Sequence, residues 1–338
     1  MNRKLISLAI VIILGTKLLT GCGKETDSVD SSSKNGLTTV RVAVMTGNFT
    51  QYTALIGKQQ GIFEKNGINL EITEYAAGVN TIDAVVAGQA DIGNMADYAA
   101  VNRIGNTLDT NNLVIVSEIQ GGDVNGFLYT APEYADDLKK LDGKGFINSV
   151  GTVNEYYNSQ IFGYLGFDEG KQNLVNSDGT TTSLALAQSG DVAAAFSSGS
   201  SSTYFEGIGW KKAIDGADLG IETYSYYMTT EEFNSSHVQM LADFLKATQE
   251  SYDYIMEHLV ETAKYLESTL GISADNFKSD WSIAKSRIGF SQEGVEQLIK
   301  IEDWAYNNGR YDKKYDISNY INTDALEKIY PDKVTVKQ

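Results

Sequence analysis

Apolar residues first recur with period two in Val40-Arg41-Val42-Ala43-Val44-Met45, a β-branched alternation that predicts a strand. Thr46-Gly47-Asn48-Phe49-Thr50 turns the chain, a short helix is expected over 51–59, and Asn66-Gly67 marks a turn before a second strand at 68–74. Ile82, Val85 and Val86 share one helical face of the segment 78–89. Asp91-Ile92-Gly93 then reads as a short strand whose exit, Asn94 to Tyr98, opens another helix. Further strands are expected at 113–119 and 127–130. Alternation of strand and helix predicts an α/β fold, a mainly parallel sheet flanked by helices.

Ala131-Pro132-Glu133 interrupts this pattern, and it restarts with a strand at 143–150, helices at 152–165 and 183–188, and a strand at 192–196. A returning strand at 221–229 precedes helical stretches at 235–270, 274–285, 291–307 and 323–331. The segments 87–93 and 188–194 each end a helix at Gly beside a small apolar strand, as in two versions of one plan. Some 300 residues are more than one core usually serves. Two lobes are therefore expected, residues 37–130 plus 225–338 forming the first and 131–224 the second.

The N-terminus has a different character. Asn2-Arg3-Lys4 precedes an apolar run at 5–14 that is about half the length needed to span a bilayer, the pattern of a signal peptide over 1–21. Leu19-Thr20-Gly21-Cys22 resembles the bacterial lipobox, and Cys22 is the only cysteine, so it has no partner for an intrachain disulfide. Lipidation of Cys22 is expected, with the polar stretch 22–36 as a tether. That places the protein on the outer face of the cell membrane, lipid-anchored. A formal net charge of −17 argues against nucleic acid as a partner.

In doubly wound sheets, ligands bind beyond the carboxyl ends of the strands. That rule selects Asn48, Phe49, Tyr52, Asn94, Asp97, Tyr98 and Asn125 in the first lobe, and Thr152, Asn154, Tyr156, Ser198 and Tyr204 in the second. Phe49, Tyr52, Tyr156 and Tyr204 are candidates for stacking on a flat solute, and Asn94, Asp97 and Asn154 for hydrogen bonds to its edge. After the signal segment the arginines are Arg41, Arg103, Arg287 and Arg310, none in these loops. A neutral or weakly cationic heteroaromatic solute is therefore expected. The alternative is an anion held by helix N-termini at Thr50, Asp97 and Thr152. The histidines, His237 and His258, both fall in the C-terminal helical region without a second metal ligand at suitable spacing. No catalytic dyad, metal or cofactor is expected.

The strand at 40–45, Gly61-Ile62-Phe63-Glu64-Lys65-Asn66-Gly67-Ile68, Ala87-Gly88-Gln89-Ala90-Asp91-Ile92-Gly93, Leu141-Asp142-Gly143-Lys144 and the segment 187–194 occur in an order that resembles one family. It comprises the solute-binding proteins of sulfonate, taurine, nitrate and thiamine-pyrimidine-precursor import systems. The resemblance implies a type II periplasmic-binding-protein-like fold whose two α/β lobes close on solute. It also implies a monomer that docks on an ABC permease driven by a separate ATPase. Ala193 stands where the family usually has Asp, and the cysteine-rich motif of relatives that synthesise the thiamine pyrimidine is missing. A pyrimidine-like or vitamin-precursor-like solute is expected, with sulfonate, taurine or nitrate as the alternative. A sensor partner and an enzyme on the same fold are the rival classes.

Overall fold

The computed structural model describes residues 36–336 apart from 111, 125, 199–200, 284–285 and 287. The expected signal peptide, Cys22, all but the end of the tether, and Asn125 lie outside the described residues. Among the described residues, no helix is long and apolar enough to cross a membrane.

The alternating segment at the start becomes β1 (Thr38–Met45), which pairs in parallel along its whole length with β2 (Ile68–Tyr75). The crossover between them carries the helix Phe49–Gln59, whose start is fixed by Asn48, the side-chain oxygen accepting from the N–H of Thr50 and Gln51. Beside β1, a parallel bridge at Val42 and Ile92 leads into β3 (Gly93–Ala96). β4 (Leu113–Asp123) follows the helix Asp97–Gly105.

The chain then changes sheet. β5 (Gly126–Thr130), β6 (Gly145–Asn148), β7 (Asn173–Asn176), β8 (Ala194–Ser198) and β9 (Lys211–Asp215) form a five-stranded sheet in the order β7-β6-β8-β5-β9. β10 (Glu222–Thr230) returns between β3 and β4, antiparallel to both. The two passages between sheets are tied together, Val124 N–H donating to the Ile221 carbonyl at 3.1 Å and Gly216 N–H to the Gly126 carbonyl at 2.8 Å.

The sheets are mixed. β6 runs parallel to β7 and β8, as expected of strand–helix–strand units, whereas β5 runs antiparallel to β8 and β9. Because β5 pairs with β8, the change of sheet precedes Gly126, a few residues before the lobe boundary expected after Thr130. β7 and β9 were not expected from the hydropathy pattern. Both lie at the edges of the sheet. Asn173, Asn176, Lys211 and Lys212 are the residue types that keep such edges from pairing further, and they erase the apolar signal of a strand.

The helical stretch expected at 235–270 is broken twice, into Glu231–Ser236, Val238–Glu257 and Leu259–Leu270. The breaks fall at His237 and His258. Each imidazole stacks on the aromatic ring four residues earlier, Phe233 at 4.5 Å and Tyr254 at 4.2 Å. In each, Nδ1 lies within 3.1 Å of that residue's carbonyl oxygen, ending one helix and freeing the chain to start the next.

β6 lies where no side chain fits at its first residue. A Cβ at Gly145 would stand 2.4 Å from the Asp191 carbonyl oxygen and 3.0 Å from the Val192 Cα, both backbone. Gly145→Ala is expected to lower unfolding free energy by about 1–3 kcal/mol in chemical denaturation. Gly163→Ala, on an exposed helix face with nothing near its Cβ, should leave stability unchanged or slightly raised.

Candidate functional site

The loops at the carboxyl ends of β1 and β3 are closed by their own hydrogen bonds. The Thr50 hydroxyl lies 2.8 Å from Asn48 Oδ1 and 3.1 Å from Asn94 Oδ1, and Asn94 Oδ1 also accepts from the Met45 N–H. Phe49 is buried in a stack on Trp281 at 5.3 Å and Tyr252 at 5.6 Å; Tyr52 meets Phe277 and Trp281 edge-on. Both rings thus serve the packing of the C-terminal helices against the helix Phe49–Gln59.

Asp97 begins the helix Asp97–Gly105 and is 1% exposed. Its oxygens accept from the N–H of Tyr98 at 2.7 Å and of Tyr224 at 2.9 Å, and the Thr223 hydroxyl lies 3.4 Å away. The carboxylate thus clasps the start of β10, where the chain returns to its first sheet. Burial pushes its pKa up to about 6 against the opposing pull of these donors.

Across from it stands the helix Val153–Leu165, capped by Thr152, whose hydroxyl accepts from the Asn154 N–H. Asn154 Oδ1 holds the Ser149 N–H at 2.9 Å. Tyr156 packs edge-on against Trp304 at 5.2 Å, and its buried hydroxyl has no partner among the described residues. Tyr98 meets the same Trp304 at 5.6 Å and donates its hydroxyl to Glu155. Burial and that carboxylate push the Tyr98 phenol far up.

The carboxyl ends of β6 and β8 open on a pocket of about 270 Å³. Its polar lining is Ser149, Asn154, Thr180, Ser183, Ser197, Ser198 and Ser201; Tyr157, Phe196 and Phe205 supply rings. No lining residue carries a formal charge at neutral pH. Gly179, also in the lining, is the N-cap of the helix Thr180–Ser189, and no side chain caps the first N–H groups of that helix; Asp178, just before it, accepts from the Thr182 hydroxyl at 2.6 Å.

Of the residues selected from the sequence, the structure brings Asn154 and Ser198 into this pocket, with Thr152 capping the helix above it. Asn48, Phe49, Tyr52, Asn94, Asp97, Tyr98 and Tyr156 are held in the packing just described. Tyr204 is 51% exposed, and its neighbour Phe205 faces the pocket instead. Sequence reasoning passed over Thr180 and Ser183, although Gly179 followed by three threonines and a serine is a helix start without a cap. Among the described residues, no cluster of His, Cys, Asp and Glu could hold a metal ion.

A family model described as NMT1/THI5 like matches residues 48–262. No curated protein sequence matches the chain. Among solved structures, the aliphatic sulphonate-binding protein SsuA from Escherichia coli is similar at 16% identity and a TM-score of 0.70, covering 84% of this chain and 97% of that one. The alkanesulfonate-binding SsuA from Xanthomonas axonopodis pv. citri, bound to MOPS, is similar at 12% identity and 0.69, covering 84% and 98%. The desulfurization enzyme DSZB is similar at 12% and 0.63, covering 86% and 98%. These likenesses show the periplasmic-binding-protein-like α/β fold.

The clasp at Asp97 has a pH signature. Its pKa is raised in the folded state, so the protonated form is favoured there, and the stability it adds is present below the usual carboxylate value of 3.8 and lost as pH rises through about 6. Asp97→Asn is expected to flatten the fall in melting temperature between pH 4 and pH 7, measured by calorimetry across that range.

Proposed function

Because the chain belongs to the NMT1/THI5-like family, we propose that it is the extracytoplasmic solute-binding protein of an ABC importer, and that its solute is a small molecule with an oxyanion head. Two lobes, one on each side of the tied passages, close on the solute and present it to a permease powered by a separate ATPase. Lipid on Cys22 holds the monomer at the membrane. The sulfonate-binding names of the two SsuA structures support this class of cargo.

The observation that carries the reading is the helix start at Gly179, which has no side-chain cap and lies among uncharged lining residues; the Asp178 carboxylate, outside the lining, accepts from the Thr182 hydroxyl at 2.6 Å. Backbone N–H groups and serine hydroxyls can solvate a sulfonate without a guanidinium. The expectation drawn from the missing arginines therefore points the other way once this helix start is seen. A binding role also fits the residues better than an enzymatic one, since His237 and His258 both serve as helix breaks.

A second reading, a heteroaromatic solute of the pyrimidine or vitamin-precursor kind, is favoured by Tyr157, Phe196 and Phe205 in the same pocket. The stacking rings chosen for it from the sequence, Phe49, Tyr52 and Tyr156, are engaged in packing, so these three would have to replace them.

One variant separates the two. Gly179 has an extended backbone, φ 169°, and nothing within 4 Å of an added Cβ, so Asp fits there and caps the helix itself. Alkylsulfonates or taurine at 100 times their dissociation constant should stabilise the natural protein by roughly 2.7 kcal/mol in a thermal-shift screen. Gly179→Asp is expected to abolish that shift. A shift produced only by pyrimidines or thiamine precursors, and kept in Gly179→Asp, would overturn the oxyanion assignment.

A further inference from the structure

We propose that Glu155 is the centre of a latch across the cleft, which holds the two lobes together in the absence of solute. The inference rests on the closing-cleft reading above and adds what sets the balance between open and closed.

The helix Val153–Leu165 follows β6 in the five-stranded sheet, yet its first turns touch elements built on the other sheets. Glu155, 6% exposed, takes the Tyr98 hydroxyl on Oε2 and has Arg310 Nη1 3.6 Å from Oε1. Tyr98 belongs to the helix that Asp97 fastens to β10. Arg310 is fixed on the same side, its carbonyl accepting from Asn106 Nδ2 at 3.1 Å. One turn along, Trp304 Nε1 donates to Ser159 Oγ at 2.8 Å, and Ser159 donates to Glu169 at 2.7 Å. Trp304 itself lies between the rings of Tyr98 and Tyr156, with the Arg310 guanidinium 5.4 Å from its centre.

These bonds form a third connection between the sheets. The passages at 124–126 and 216–221 are covalent and persist whether the cleft is open or shut; the Glu155 and Trp304 bonds are side-chain contacts that a hinge rotation would break. Inside the joint, Glu155 accepts from a phenol and faces a guanidinium, and Gly151 N–H adds a third donor at 3.2 Å. A buried carboxylate so supplied favours the joined state, because separation leaves Tyr98 to find water instead.

The test is a distance measurement between spin labels at Lys65→Cys and Gln188→Cys, both exposed and on opposite sides of the passages, in a Cys22→Ser background. The protein with an intact joint should give one short distance without any solute. Tyr98→Phe keeps the ring against Trp304 and removes only the hydroxyl, and Glu155→Gln keeps the shape and removes the charge. Each is expected to lower the closed-to-open ratio about tenfold and add a longer distance. If the variants match the intact protein while methanesulfonate, taurine or a pyrimidine alters the distance, the latch is overturned and the binding-protein reading stands. If neither variants nor these probes move the distance, the closing cleft falls with the latch.

Discussion

A carboxylate taken out of water and satisfied by backbone dipoles is the constraint on which the arrangement depends. Asp97 stands at the first turn of its helix and takes the N–H of Tyr224, so the strand returning from the five-stranded sheet is fixed to the helix beside the cleft. The next residue, Tyr98, inherits that position and can therefore meet Glu155. The clasp thus sets where Tyr98 stands in the joint with the helix Val153–Leu165, beside the Trp304 and Arg310 contacts. The raised pKa of Asp97 is the cost of the burial that makes the clasp exact in direction.

The same economy of dipoles recurs at the pocket. A helix that begins at glycine has N–H groups to offer and nothing of its own to give them. Where this happens at the carboxyl ends of parallel strands, beside Ser183, Ser197 and Ser201, the lack of a cap becomes a property of the site rather than a defect of the helix. The pocket's neutrality then matters in an acidic chain, since any carboxylate among its lining residues would repel an anionic head.

Much of the fold was legible in the sequence, because β1 is β-branched and apolar and the helix Val153–Leu165 is bounded by Thr152 at its start and Gly166 at its end. The edge strands β7 and β9 were hidden by the polar residues that suit an edge. The breaks at His237 and His258 depend on ring stacking four residues apart, which a helical periodicity does not reveal. The site was less legible. Phe49 and Tyr52 fall in the loops where ligand rings belong, but Trp281 and Phe277, more than 220 residues later, claim them, and no local pattern foretells that. Asn154 and Ser198 lie in the lining of the proposed pocket, and strand ends and helix starts such as theirs are local features of the sequence.

The central claim, that an oxyanion is held by the uncapped start of the helix Thr180–Ser189, is tested most directly by anomalous diffraction from crystals grown with selenate. The account expects a selenium peak in the pocket, within hydrogen-bond reach of the N–H groups of Thr181 and Thr182 and of the serine hydroxyls. A pocket without a peak at saturating selenate, or a peak seated elsewhere in the cleft, would contradict it.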